Sequence, residues 1–113
     1  MLPVLPKLTE RRFHKQVVRL AELMGWRVWH DTATNAPRAC AACDTPIPVI
    51  RNPAGMLDLI LIRRPRVVWA ELKSERGTLT DAQYTALVEL RASGQEAHVW
   101  RPSDIEKITR ILR

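Results

Sequence analysis

Apolar residues recur at three- and four-residue steps through Phe13, Val17, Leu20, Ala21 and Met24, which is the spacing of one face of a helix. Thr9 can cap the start and Gly25 suits the stop, so the pattern predicts a first helix over 9–24. Trp26 to His30 alternates aromatic and β-branched residues with polar ones and predicts a short strand. From Asp31 to Ala54 the period dissolves. These 24 residues hold Pro37, Pro46, Pro48, Pro53 and both cysteines, and are expected to form a long irregular loop, functional or mobile.

Gly55–Ile62 and Arg66–Lys73 are rich in aliphatic residues and are joined by Arg63-Arg64-Pro65-Arg66, a turn with proline at its centre. They predict an antiparallel hairpin. Thr80 caps a second helix that runs through Ala92 to a stop at Gly94, with Leu79 before the cap and Leu87 and Leu90 among its apolar positions. Ala97–Trp100 is a last strand. Pro102 and Ser103 open a terminal helix whose Ile105, Ile108, Ile111 and Leu112 make one apolar face. The order αβββαβα predicts an α/β fold, with a mixed central sheet flanked by helices in a single domain over 1–113.

Composition narrows the partners. Eighteen basic and twelve acidic residues give a net charge of +6, and fourteen of the basic residues are arginines, whose planar donor fork suits phosphates. An arginine-rich genomic composition is the plainer alternative, so charge alone supports a polyanion partner and no more. No apolar run approaches the ~18 residues of a membrane span, and Pro3 and Pro6 break the start, so no membrane association and a cytoplasmic location are expected. Two cysteines are too few for a disulfide framework.

The residue that breaks the pattern is Asp58, in the middle of Met56-Leu57-Asp58-Leu59-Ile60-Leu61-Ile62. A carboxylate in such a strand is costly unless it is paired, hydrogen-bonded or bound to a metal. Glu71 and Lys73, after Val67-Val68-Trp69-Ala70, are matching anomalies two residues apart and so on one face. A turn centred between Arg64 and Pro65 sets Ile62 opposite Val67, Ile60 opposite Trp69 and Asp58 opposite Glu71, with Cβ atoms about 4.5–5.5 Å apart. Two opposed carboxylates repel, so a cation between them is expected; oxygen ligands of this kind suit Mg²⁺ or Mn²⁺. The plainer alternative makes Glu71 and Lys73 solvated edge charges and pairs Asp58 with an arginine. It has to explain three polar residues along one face of two apolar strands.

Asp58 followed at thirteen residues by Glu71-Leu72-Lys73 resembles the PD-(D/E)xK nuclease motif. The wider segments Ala54 to Leu59, Ala70 to Gly77, Leu79-Thr80 with Gln83, and Trp100 to Asp104 resemble the VRR-NUC branch of that superfamily, similar in core to Holliday-junction resolvases. The resemblance implies a restriction-endonuclease-like αβββαβ core and metal-dependent phosphodiester hydrolysis on DNA. It also implies Asp58, Glu71 and the backbone carbonyl of Leu72 as metal ligands, with Lys73 as the catalytic lysine. One departure is Leu57, where the family usually has proline before the aspartate.

The same comparison suggests Glu10, which could complete the metal site from the first helix, although an acid in a first turn also complements the helix dipole. It suggests Gln83 as well, whose amide would face the site, although a capping box with Thr80 explains it equally. Arg11, Arg12 and Lys15 on the first helix, Arg63, Arg64 and Arg66 at the hairpin and Arg38 and Arg51 in the long loop are candidate DNA contacts, binding phosphates without reading sequence. Trp26, Trp29, Trp69 and Trp100 sit in strand patterns and are expected in the core. His14 and His98 show no evident partner. Cys40 and Cys43 have the spacing of half a structural zinc site, with reduced, loop-borne cysteines as the alternative.

The expected function is a metal-dependent DNA endonuclease acting on branched DNA such as Holliday junctions. Two symmetric cuts need two sites, so a homodimer is expected. The alternatives are a non-catalytic DNA-binding domain of the same fold and a structure-independent nickase.

Overall fold

A computed structural model describes residues 8–30, 38–39, 41–47 and 55–113. In chain order the elements are α1 (Glu10–Leu23), β1 (Arg27–His30), β2 (Arg38–Ala39), β3 (Pro46–Ile47), β4 (Leu59–Arg63), β5 (Arg66–Leu72), α2 (Asp81–Ala92), β6 (Glu96–Trp100) and α3 (Ile105–Leu112). A 3₁₀ turn over Pro102–Asp104 precedes α3. Apart from the short strands β2 and β3, the expected order αβββαβα is present, as a four-stranded mixed sheet with strand order β1-β4-β5-β6. No helix among the described residues is long and apolar enough to cross a membrane.

The β4–β5 hairpin has the expected register, from Arg63↔Arg66 through Ile60↔Trp69 to Leu59↔Ala70. β1 adds antiparallel to β4, with His30 opposite Leu59. β6 adds parallel to β5, a pairing that needs a crossover, and α2 supplies it. β2 and β3 form a separate antiparallel ribbon, Arg38↔Ile47 and Ala39↔Pro46. The stretch expected to be irregular thus contains regular pairing; strands of two residues are too short to display the alternation that reveals them in sequence.

One face of the sheet carries most of the core. Phe13, Val17 and Ala21 of α1, spaced four apart, pack with Ile108 and Leu112 of α3 against Leu59, Leu61, Val68, Ala70, Leu72 and Trp100. The opposite face holds a smaller cluster of Leu57, Leu87 and Ala97, with Trp69, Leu79 and Leu90 at its border. Thr9 caps α1 by accepting from the backbone N–H of Arg12 at 3.2 Å. Of the four tryptophans, Trp26 and Trp100 are buried and Trp69 is half-buried. Trp29 departs from expectation, being 51% exposed, because β1 is an edge strand and this side chain points to the face that α1 and α3 do not cover.

Arg63, expected as a DNA contact, is engaged within the fold. Its guanidinium donates to the carbonyls of Met24 at 2.9 Å, Leu112 at 3.1 Å and Arg113 at 2.9 Å and lies 4.5 Å from the centre of the Trp26 ring. Arg66 flanks the same ring, donates to the Ile111 carbonyl and forms a two-point pair with Glu96 at 2.8 and 2.7 Å. Carbonyls at a helix C-terminus lack partners within the helix, and here arginines from the hairpin satisfy them. Arg64 alone of the three is exposed. Arg63→Ala should lower stability to urea by about 2–3 kcal/mol, the scale of lost hydrogen bonds to a charged group. Arg64→Ala should change it by less than about 0.5 kcal/mol; equal urea midpoints for the two variants would contradict this division of roles.

Candidate active site

β4 and β5 separate the two carboxylates by a tight turn, and the observed register returns them to the same end of the sheet. The regular ladder stops at Leu59↔Ala70, one pair short of where Asp58 would meet Glu71. Beyond it, side chains take over the backbone's donors. The Asp58 N–H donates to Glu71 Oε2 at 3.1 Å, and the Leu72 N–H donates to Asp58 Oδ2 at 2.9 Å. Each carboxylate thus fills a position that a strand carbonyl would otherwise occupy, which explains why β4 begins at Leu59 and not near Gly55.

The segment before Asp58 is held from the other side. Gly55 has φ +88°, and a Cβ there would lie 2.7 Å from the backbone carbonyl of Ala82 in the first turn of α2. Only glycine tolerates both the left-handed backbone and this approach. Leu57, 3% exposed, inserts between Leu87 and Ala97, so the residue that departs from the family pattern is a core anchor for the aspartate beside it.

Glu71 is 1% exposed, the sole charged side chain buried to this degree among the described residues. Its Oε1 accepts from Gln83 Nε2 at 3.0 Å and lies 3.4 Å from Lys73 Nζ. Gln83 fills both roles considered for it. Its Oε1 accepts from the Thr80 N–H at 3.0 Å while its own N–H donates to Thr80 Oγ1 at 3.1 Å, a complete capping box. The remaining amide hydrogens are then free to reach the carboxylate. Lys73 continues the parallel pairing through its N–H to the Trp100 carbonyl at 3.0 Å. The site therefore lies at the carboxyl ends of the parallel strands β5 and β6, where open α/β sheets bind ligands.

Burial pushes the Glu71 carboxyl up from 4.5 to about 7, and the Asp58 charge pushes in the same direction, against the opposing pull of Lys73. Two carboxylates and one ammonium leave a net negative site in which one acid is driven toward its neutral form. The second oxygen of Asp58 accepts no hydrogen bond among the described residues, and Asp58 is half-exposed. A hard divalent cation fits this donor set by chemistry, since it would neutralise the repulsion and take oxygen ligands. Among the described residues no group of three or more His, Cys, Asp or Glu side chains could hold a metal ion, so such a cation would rest on Asp58, Glu71 and backbone oxygen.

Glu10 is not brought into this set. It is exposed in the first turn of α1 and makes no hydrogen bond or ion pair among the described residues, at the open end of the helix face that carries Phe13, Val17 and Ala21. His14, one turn further, is half-buried and feels the Asp58 charge. Burial holds its imidazole below the ordinary value, the Asp58 and Glu10 charges oppose this, and His30 adds to it. Its ring meets that of His30 edge-on at 5.5 Å. His98 also has partners, a 2.8 Å contact to Glu96 Oε2 and a stacked Trp100 ring. Neither histidine is alone; their partners come from other strands or two residues along, which sequence periodicity does not display.

Arg11, Arg12 and Lys15 are exposed on α1, within a turn of His14. Arg64 sits at the opposite end of the hairpin, about 20 Å from Glu71 at ~3.3 Å per residue, so it does not border the site. Exposed Arg76, three residues beyond Lys73, is a basic group nearer to it. The Arg38 side chain, Arg51 and Cys40 lie outside the described residues. Cys43 is exposed in the turn between β2 and β3, with Sγ 3.0 Å from Thr45 Oγ1.

Compared with family models, with curated proteins and with solved structures, the chain matches none of them.

Without divalent cations, Glu71 makes stability fall as pH rises. The unfolded chain loses this proton near 4.5 and the folded chain keeps it to about 7, so between these values the unfolded state binds fewer protons. The full effect is about 3 kcal/mol. His14 slopes the other way, since its folded value is lowered. The comparison that isolates Glu71 is with Glu71→Gln: in chelator its melting temperature should exceed that of the wild type at pH 8, and the gap should close toward pH 4.5. A gap independent of pH would show that the Glu71 proton is not held by the fold.

Proposed function

We propose that the chain is a divalent-metal-dependent DNA endonuclease that hydrolyses phosphodiester bonds, with branched DNA as its substrate class. The observation that carries this reading is the contact between half-exposed Asp58 and buried Glu71, with Lys73 beside them, at the carboxyl ends of parallel strands. Two carboxylates held in contact repel, and a buried carboxylate is costly unless it is paired, hydrogen-bonded or bound to a metal. Such a pair is costly for a purely structural or DNA-binding role and useful for holding a cation.

Asp58 and Glu71, with the Leu72 carbonyl, would hold Mg²⁺ or Mn²⁺. When bound, the ion would stabilise negative charge on the phosphate oxygens and lower the pKa of water. Lys73 supplies a fixed positive charge beside the nucleophile. In hydrolysis a water oxygen bonds to phosphorus, the bond to the leaving 3′ oxygen breaks, and that oxygen takes a proton. Charge builds on the non-bridging and leaving oxygens, where preorganised cationic groups act most strongly. Gln83 holds the Glu71 carboxylate from the helix side and fixes its orientation. Arg11, Arg12 and Lys15 would hold the DNA backbone, giving affinity that falls steeply with salt.

The test is cleavage of a labelled four-way junction and a matched linear duplex with Mg²⁺, with Mn²⁺ and with chelator. Cleavage in either metal, none in chelator, and losses of at least about 100-fold in Asp58→Ala and Lys73→Ala are expected. No cleavage in any metal, or cleavage indifferent to these substitutions, would overturn the reading. Symmetric cutting of a junction by two one-site chains requires a homodimer, and light scattering on the protein free and on DNA should show one; a monomer in both states would remove that part.

A further inference from the structure

Among the described residues, the sheet face that bears Glu71 is only half covered. α2 lies mainly over β6, with Trp69 at the border of its contact. Toward β1 the same face presents half-buried Ile60, Ile62 and Val67 and the exposed Trp29. Trp29, Ile60 and Trp69 stand opposite one another across three strands. Ile60 and Trp69 each lie two residues from a carboxylate on the same face, so this apolar row is the next step along the sheet from Asp58 and Glu71.

Between the row and α2 a cavity of about 370 Å³ opens beside the site, walled by Met56, Trp69, Ala86 and Leu90, with Glu89 and Ser93 as its polar groups. Its place is fixed by two distances. Trp69 is about 7 Å along the strand from Glu71, and Ala86 is about 4.5 Å along the helix from Gln83, which touches Glu71. The size is at the low end for ligand cavities, enough for one planar ring system. Among the described residues no cation lines it, and Glu89 carries a negative charge, which disfavours a phosphate. An apolar wall with an aromatic side and hydrogen-bond acceptors at one end suits a neutral, flat group with N–H donors. The Trp69 indole N–H donates to Gln95 Oε1 at 3.3 Å, which sets the orientation of the ring. Further out, the Arg27 guanidinium lies 5.6 Å from the Trp29 ring centre, the pairing of cation and exposed aromatic used to hold single strands.

We propose that this cleft seats one unpaired nucleobase of the substrate strand, stacked against Trp69, with its donor edge toward Glu89 and Ser93 and with Trp29 as the next stacking surface. A base inside a duplex cannot reach such a pocket, so the substrate class narrows to DNA with an unpaired nucleotide beside the phosphate that is cut. The inference rests on the nuclease reading for the identity of the strand, and its test does not depend on cleavage.

The experiment uses the full chain in chelator, with dye-labelled DNA carrying one unpaired nucleotide at a branch. That nucleotide is either a normal base, an abasic site or 2-aminopurine. About 10-fold weaker binding of the abasic DNA by anisotropy is expected, the scale of one stacked base. The fluorescence of 2-aminopurine should change at the unpaired position and not at a paired one. Ala86→Trp, which fills the cleft, should abolish both effects while remaining folded by circular dichroism. The exposed Glu89→Gln gives a second reading by removing any preference for guanine over thymine at the unpaired position. Equal affinity for the base and abasic DNAs without a 2-aminopurine response, or no DNA binding at all, would overturn the proposal. Cleavage with an indifferent cleft would leave the nuclease reading standing and remove this one; base capture without cleavage under any metal would do the reverse.

Discussion

The exchange of hydrogen bonds between Asp58 and the strand beside it sets the form of this molecule at the end that carries the two carboxylates. Asp58 donates its backbone N–H to the Glu71 carboxylate and accepts the Leu72 N–H on its own side chain. A hairpin that continued its ladder would use carbonyls at these points and would leave both carboxylates without a role. By substituting side chains for carbonyls, the chain ends β4 and holds two acids together where water is scarce. The electrostatic cost is visible in Glu71, whose proton is held to about 7 by burial and by Asp58.

Much of the surrounding architecture supports that costly contact. Gly55 lets the backbone touch the first turn of α2, and Leu57 anchors the next step in the core. Gln83 closes the helix cap and the carboxylate with a single side chain. At the far end of the sheet, Arg63 and Arg66 tie the hairpin to the last carbonyls of α3 and to Trp26. The arginines that make the chain basic are therefore of two kinds. Some cross-link the fold, and others, on α1 and near Arg76, face solvent. Net charge counts both and overstates what is available to a polyanion.

The half of the sheet left open among the described residues adjoins the acidic site. Trp29 and Trp69 occupy the strand positions next to the carboxylates, on the face from which α2 is displaced toward β6. On the proposed reading, an aromatic row beside the two carboxylates would favour DNA with an unpaired base, the part of a branched substrate that a duplex does not offer.

The element order, the hairpin register and the pairing of Asp58 with Glu71 were all legible in the chain, because they follow from local periodicity and from a short turn that fixes which residues oppose one another. The capping box of Gln83 was legible for the same reason. What the sequence could not decide is how each polar group would be used. Glu10 and His14 share a helix, and only the packing of α1 sets His14, half-buried, within the influence of the Asp58 charge while Glu10 stays in the exposed first turn. Arg63 and Arg64 are neighbours of the same type, yet the docking of α3 makes one a structural tie and leaves the other at the surface. Trp29 and Trp26 fit the same strand pattern, and the sheet order leaves one of them exposed. These outcomes depend on contacts between residues far apart in the chain, whose geometry exists only once the sheet and helices have packed.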